Sequence, residues 1–133
     1  MKEKLLYKLQ NYEKAVKRLQ EAAALPLEQS IIVDGIIQRF EFTYELAWKL
    51  MKSFLEYEGI VGISSPRAVF KEAYSTGMIQ NAEAWLSMIT DRNMTSHTYD
   101  EKMARLVCQR IISQHIQVLL QFLHSLHEKV RTL

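Results

Sequence analysis

At 133 residues, the chain is near the commonest domain length and long enough to bury one hydrophobic core, so we predict one domain, residues 1–133. Its 48% hydrophobic and 24% charged residues are ordinary for a globular protein, and a net charge of +2 does not by itself indicate nucleic acid or an acidic membrane as partner. The single cysteine, Cys108, excludes an intrachain disulfide and a cysteine-based zinc site.

The first half of the chain predicts two long helices. The first carries an apolar stripe at 4-3-4-3-4 spacing and ends before Pro26: Leu5, Leu9, Tyr12, Val16, Leu19 and Ala23. The second is expected from about Ser30 to Glu58, with Gly59 closing it. Apolar residues cover so wide an arc of this second helix that it must contact more than one neighbour. We therefore predict that it is the central helix of a bundle and a candidate dimer surface.

Two short helices are predicted next. Ser65 is a good N-cap with Pro66 in the first helical position, and this third helix should run to about Thr76, with Gly77 as its stop. Asn81 can cap a fourth helix, which carries apolar residues at helical spacing.

The last third of the chain predicts one long helix. The segment Thr98–Glu101 matches a capping box at its start. Apolar residues then repeat at the heptad spacing of a bundle seam: Ile112, Ile116, Leu119, Leu123, Leu126, Val130 and Leu133. No segment has a strand pattern. We therefore predict an all-α, up-and-down bundle of about five helices, with two short helices between the long central and C-terminal ones.

The chain shows no signal for export or membrane insertion. The first ten residues, MKEKLLYKLQ, are basic but lack the uninterrupted apolar run of a signal peptide. No segment approaches the roughly eighteen consecutive apolar residues of a membrane-spanning helix. We expect a cytoplasmic protein with no membrane partner.

The stretch TDRNMTSHTYDEK, residues 90–102, places an unusual set of polar side chains between the fourth and fifth predicted helices. Arg92 should lie near the end of the fourth helix, His97 in the connection, and Tyr99 in the first turn of the fifth. Arg92 and His97 are five positions apart across a helix break, so they can converge on one pocket. Arginine clamps phosphate oxygens, and histidine exchanges a proton near neutral pH. The pair therefore suits acid–base chemistry on a phosphodiester.

A purely structural explanation of the same stretch is also open. Arg92 at a helix C-terminus complements the helix dipole, and Asn93 is a common C-cap. Thr98 and Asp100 are ordinary residues for a helix start. On this alternative the motif is only a capped turn.

Charged residues at i, i+4 and i+8 mark one face of the central helix: Glu41, Glu45 and Lys49. They form either an ordinary exposed ion-pair series or a set of charges in the bundle cleft that orients Arg92 or contacts a ligand. The two glutamates lack the Glu-x-x-His partner of a di-metal bundle site. We therefore expect no metal and no cofactor.

Four other basic residues are interpreted first as structural or surface residues without a functional role. Three histidines of the fifth helix are predicted to lie on a solvated or half-buried face: His115, His124 and His127. Arg67 is predicted to be a surface charge, with a basic rim for RNA as the alternative.

The motif DRNMTSHTYDE resembles the Arg-x4-6-His signature of HEPN domains, small all-α proteins of prokaryotic defence and toxin–antitoxin systems. Its Arg-Asn-x-x-x-His-x-Tyr arrangement is closest to the branch described as nucleotidyltransferase substrate-binding proteins. Three further segments are similar to that branch: RFEFTYELAWKLMKSFLEYEGI (39–60), SPRAVFKEAYSTGMI (65–79) and WLSMITDRN (85–93). The resemblance therefore covers nearly the whole chain, with the segments in the same order.

The resemblance implies a homodimer of helical bundles, with a minimal nucleotidyltransferase antitoxin as partner. It implies a metal-independent endoribonuclease toxin in which Arg92 and His97 act on RNA, with Asp91 and Asn93 in support. It also implies that the partner silences the toxin by adenylylating Tyr99. The alternative within this family is a non-catalytic subunit that presents a nucleotide or other substrate to the nucleotidyltransferase.

Overall fold

The computed structural model describes all 133 residues, and every regular element is helical. In chain order the elements are α1 (Lys2–Ala23), α2 (Ser30–Tyr57), α3 (Pro66–Ser75), α4 (Ala82–Met94), a 3₁₀ turn (Thr95–His97), α5 (Glu101–Arg110), a π-helical turn (Ile111–His115) and α6 (Ile116–Val130). The π turn joins α5 and α6 into the predicted long C-terminal helix. The prediction of an all-α bundle with two short helices between two long ones is confirmed.

Helix α2 lies at the centre of the bundle and packs against α1, α3 and α5. An aromatic chain crosses the core beside it, with successive ring centroids 5.1 to 6.1 Å apart, through Tyr44, Phe70, Trp85, Phe122 and Tyr12. Such rings bury large apolar areas and fix one another's orientation, which gives the bundle a rigid interior. No helix of the structure is both long and apolar enough to cross a membrane.

Local sequence signals set the ends of the two short helices as predicted. The Ser65 side chain accepts a hydrogen bond from the Ala68 amide at 3.2 Å, and Asn81 accepts one from the Ala84 amide at 3.1 Å. Gly77 follows α3 with φ of 82°, a conformation that glycine adopts without strain.

The predicted capping box at Thr98–Glu101 is wrong. The N-cap of α5 is Asp100, whose Oδ1 accepts hydrogen bonds from the amides of Lys102 and Met103 at 3.0 and 3.2 Å. The Thr98 hydroxyl instead donates backwards to the Thr95 carbonyl at 3.0 Å. One carboxylate that satisfies two free amides is a stronger cap than a hydroxyl. Tyr99 therefore precedes α5 and does not lie in its first turn.

The π turn was not predicted, and it changes the phase of the C-terminal helix. A π turn inserts one extra residue into the helical repeat. Ile111 is fully buried as a result, whereas Ile112, which the heptad pattern placed in the seam, is only partly buried. Cys108 of α5 is buried, and burial raises the pKa of its thiol.

Candidate functional site

Arg92 lies in the last turn of α4, and its guanidinium is held by a side chain of the central helix. Its Nη1 donates hydrogen bonds to Glu41 Oε2 at 2.9 Å and to Thr95 Oγ1 at 2.8 Å. Thr95 Oγ1 also lies 3.0 Å from Glu41 Oε2, which closes a triangle of polar contacts. This triangle fixes the orientation of the guanidinium and neutralises part of its charge.

The remaining donors of Arg92 are not used within the chain. Its Nε is enclosed without a hydrogen-bond partner, 3.7 Å from Glu45 Oε1. Its Nη2 forms no hydrogen bond with any other residue. About a third of the side chain is exposed, so a ligand can reach the guanidinium.

The other two charges of the predicted α2 series lie farther along the same helix. Glu45 accepts a hydrogen bond from Trp48 Nε1 at 3.0 Å and lies 3.9 Å from Lys49 Nζ. The structure therefore brings Glu41 and Glu45 to Arg92, whereas Lys49 contacts Glu45 and Trp48 instead.

A broad cavity of about 480 Å³ opens beside Arg92. It lies where α2, α3 and α4 meet and is lined by Tyr44, Glu45, Ser65, Pro66, Arg67, Ile89, Arg92, Asn93 and Ser96. Burial raises the pKa of Tyr44 to about 12, with a further rise from Glu45 and an opposing effect of Arg92 and Arg67. The Tyr44 hydroxyl is therefore protonated at neutral pH and can donate a hydrogen bond.

His97 and Tyr99 lie outside this cavity on the exposed surface. Their rings meet edge to face with centroids 6.3 Å apart, and Tyr99 is 87% exposed. His97 forms no hydrogen bond with Arg92 and does not line its cavity. Tyr99 borders a separate cleft of about 250 Å³ together with Asp34 and Arg105. The motif thus presents a polar cavity at Arg92 and an exposed His–Tyr pair one turn later.

Asp91 is turned into the bundle, away from these groups. Both its carboxylate oxygens bond to Arg110, with three contacts of 2.7 to 3.0 Å, and its Oδ2 lies 2.6 Å from His115 Nε2. Burial alone would raise the pKa of Asp91, but the hydrogen bonds and charges of Arg110 and His115 outweigh it and lower the pKa. Asp91 therefore ties the end of α4 to α5 and the π turn.

His115 contradicts the prediction of a solvated or half-buried position. It is 1% exposed and stacks on Phe40 with ring centroids 5.4 Å apart. Burial lowers its pKa, partly offset by its contact with Asp91. The π turn explains the error, because its extra residue rotates His115 towards the core. His124 is exposed, and His127 lies at the surface 3.2 Å from Glu13.

Several polar residues of this region were missed from the sequence. Thr95 had a local signal, since it stands three positions after Arg92 on the same helical face. Arg110 had none, because its contacts with Asp91 join two different helices, 19 residues apart in the sequence. No group of three or more His, Cys, Asp or Glu side chains is arranged to hold a metal ion.

Comparison with known proteins places the chain in a family. Residues 7–128 match the family model of nucleotidyltransferase substrate binding protein like domains. A Haemophilus influenzae protein described as a probable ribonuclease HepT is 34% identical over 107 residues, which span 74% of this chain and 73% of that protein.

Two solved structures share the fold. A Haemophilus influenzae protein, described as having the fold of a nucleotidyltransferase substrate-binding domain, is 28% identical with a TM-score of 0.69, covering 98% of this chain and 99% of that one. The tri-AMPylated Shewanella oneidensis HEPN toxin, solved in complex with its MNT antitoxin, is 16% identical with a TM-score of 0.76, covering 93% and 96%. The match to the family model over nearly the whole chain shows that the protein belongs to the family of nucleotidyltransferase substrate binding protein like domains.

Proposed function

We propose that the protein is the toxin of a HEPN/minimal-nucleotidyltransferase toxin–antitoxin pair and that it cleaves RNA without a metal ion. The observation that carries the proposal is the oriented, partly exposed guanidinium of Arg92, followed one turn later by the exposed His97. The 34% identical relative described as a probable ribonuclease supports the same activity.

In the proposed reaction, His97 accepts the proton of a ribose 2′-hydroxyl. The 2′-oxygen then attacks the adjacent phosphorus, and the bond from phosphorus to the 5′-oxygen of the next nucleotide breaks. The products are a 2′,3′-cyclic phosphate and a 5′-hydroxyl that takes up a proton. Arg92 binds the phosphate oxygens and stabilises the charge that develops on them. Because Glu41 and Thr95 already orient its guanidinium, Arg92 loses little conformational freedom on binding.

The test is cleavage of end-labelled RNA in the presence of a chelator. We expect the wild type to leave 2′,3′-cyclic ends, and Arg92→Ala and His97→Ala to cut at least about a hundredfold more slowly. His124→Ala is the matched control, since His124 is an exposed histidine of α6 outside the motif. Equal cutting by all four proteins would identify a contaminating nuclease. No cutting by any of them would reject the ribonuclease.

Silencing of the toxin at Tyr99 is the second part of the proposal. The Tyr99 hydroxyl attacks the α-phosphorus of ATP on the partner nucleotidyltransferase, forms a phosphodiester and releases pyrophosphate. The 87% exposure of Tyr99 makes it accessible to another enzyme. An added AMP group places negative charge beside His97 and competes with the RNA phosphate.

Mass spectrometry after incubation with the cognate nucleotidyltransferase and ATP tests this step. We expect adenylyl groups on the wild type and none on Tyr99→Phe. Tyr7→Phe is a suitable control because Tyr7 is also well exposed, at 65%. Modification that is unchanged in Tyr99→Phe would assign it to another residue.

The Arg92–Glu41 ion pair favours a second candidate function. It partly neutralises the guanidinium, and His97 lies outside the Arg92 cavity. A non-catalytic subunit that holds a nucleotide or other substrate for its nucleotidyltransferase needs only the cavity. In that case the protein would stimulate transfer by the partner and would leave RNA intact.

A further inference from the structure

The cavity beside Arg92 contains a second set of anion-binding groups that the proposed reaction does not use. Resting on that proposed function, we infer that Arg67, the Tyr44 hydroxyl and the free amide at the start of α3 form a subsite for a second phosphate. This phosphate belongs to a nucleotide that neighbours the scissile bond in the same RNA strand.

Arg67 supplies a free cation to this subsite. Its side chain is exposed, lines the cavity and forms no ion pair or hydrogen bond within the chain. It is close enough to Tyr44 for its charge to affect the pKa of that hydroxyl. An unpaired arginine offers two parallel donors to phosphate oxygens.

Tyr44 supplies a buried donor with no partner. The residue is only 2% exposed, and its ring is covered by Phe40 and Phe70, with centroids 6.2 and 6.1 Å away. The Tyr44 hydroxyl forms no hydrogen bond within the chain. It is not fully enclosed either, because Arg92 Nε is the only fully enclosed side-chain polar atom that lacks a partner. The hydroxyl must therefore touch solvent in the cavity that Tyr44 lines. A buried donor left free in this way is suited to a ligand oxygen.

The first turn of α3 supplies a backbone donor. Pro66 has no N–H, and the Ser65 side chain takes the amide of Ala68. The Arg67 amide has no backbone acceptor and is the donor left free at this helix end. Free amides and the positive end of the helix dipole favour an anion there.

The cavity lining selects a phosphate over a nucleobase. Recognition of bases relies on stacking against aromatic faces, and the one aromatic residue of the cavity has its ring covered. Glu45 is the only acidic group in the lining, and it is engaged by Trp48, Lys49 and Arg92. Glu41 also pairs with Arg92 at the edge of the cavity, so Arg67 is the cation that remains free to attract an anion.

RNA binding in a cleavage-deficient background tests the subsite separately from the reaction. The variants are made in His97→Ala, and binding of a single-stranded RNA oligonucleotide is measured by filter retention over a range of salt concentrations. We expect Arg67→Gln to weaken binding roughly tenfold and to reduce the slope of log K against log salt by about 0.7, the value for one phosphate contact on a single strand. Tyr44→Phe should weaken binding about threefold without changing the slope, because it removes a neutral donor.

Lys14→Gln is the control, since it removes one exposed, unpaired cation from α1. The proposed subsite is contradicted if Arg67→Gln weakens RNA binding no more than Lys14→Gln does, or if the oligonucleotide does not bind. If ATP binds with the same dependence on Arg67 and Tyr44 while RNA does not, the assignment to RNA is overturned. RNA binding that depends on both residues, without cleavage by the wild type, would keep the subsite and reject the ribonuclease.

Discussion

Asp91 holds two basic side chains from other elements against the end of α4. The residue is 3% exposed, and its carboxylate bonds to both Arg110 and His115. A buried carboxylate with two such partners is costly to disturb, because removal of its charge leaves the partners uncompensated.

We expect Asp91→Asn to lower the free energy of unfolding by about 2–4 kcal/mol, towards the lower end because Arg110 remains about one-third exposed. Urea denaturation followed by circular dichroism measures the change. Asp34→Asn, an exposed aspartate of α2 with no ion pair, is the control. A loss no larger than that of the control would show that the network does not stabilise the fold.

His115 should make the stability of the protein depend on pH. The pKa of His115 in the folded state is lowered from the ordinary 6.5, chiefly by burial. Below pH 6.5 the unfolded chain therefore binds a proton at this histidine more readily than the folded chain does. Stability should therefore fall as the pH falls from about 6.5 towards the lowered value. The contribution of Asp91 is separate: its pKa is lowered from 3.8, so its stabilisation is lost only in stronger acid.

The measurement is the free energy of unfolding of wild type and His115→Gln between pH 7.5 and 5. The variant should show a clearly flatter dependence over this range. His124→Gln is the control and should keep the wild-type slope, because His124 is exposed and lies outside the buried contact between Asp91 and His115. Equal slopes in wild type and His115→Gln would contradict the prediction.

At the scale of the elements, α3 depends on its cap because it has only ten residues. Ser65→Ala removes the hydrogen bond to the Ala68 amide and should lower the free energy of unfolding by about 1 kcal/mol. Ser65→Asp should retain it, since a carboxylate also caps a helix. Thermal unfolding measures both, and a loss in Ser65→Asp equal to that in Ser65→Ala would show that the cap is not the cause.

Element boundaries were predictable where the signal was local. Ser65, Gly77 and Asn81 act within three or four residues of their own position, and the structure uses them as predicted. The predicted N-cap of α5 was wrong although the signals were local. Thr98 and Asp100 are both suitable N-cap residues, and it is the carboxylate of Asp100 that accepts the free amides. The π turn was not predicted, because a regular apolar repeat does not show where a long helix takes up an extra residue.

The candidate site was predictable in its chemistry, and one of the two interpretations of the α2 charges had them orient Arg92, which Glu41 contacts in the structure. The Arg92–Tyr99 spacing indicated phosphate chemistry, but the partners of Arg92 and Asp91 depend on how α4 docks. Glu41 is 51 residues from Arg92, and His115 is 24 residues from Asp91. No periodicity links such pairs. Consequently, the sequence could not show that Asp91 faces inwards while its neighbour Arg92 reaches a cavity.

At the scale of the whole molecule, we propose a homodimer. Large apolar side chains remain exposed on the single chain, including Ile31 at 72% and Leu106 at 45%. Light scattering during gel filtration should give twice the chain mass of 15.6 kDa. Ile31→Glu or Leu106→Glu should shift this mass towards one chain, because burial of a charge at an interface is unfavourable.

Val61→Glu tests whether any exposed apolar residue would have the same effect, since Val61 is 71% exposed in the loop before α3. A single-chain mass for the wild type at micromolar concentration would contradict the dimer. A mass unchanged in both test variants would place the interface elsewhere.

The hydrogen bond between Trp48 and Glu45 couples the fluorescence of one tryptophan to the Arg92 cavity. Trp48 is half-buried and donates to the carboxylate that lies beside Arg92, whereas Trp85 is enclosed in the aromatic core. A phosphate that draws the guanidinium away from Glu45 would alter the polarity around the Trp48 indole and leave Trp85 undisturbed. The fluorescence of the unlabelled protein should therefore report occupancy of the Arg92 cavity, and Trp48→Phe should abolish the change.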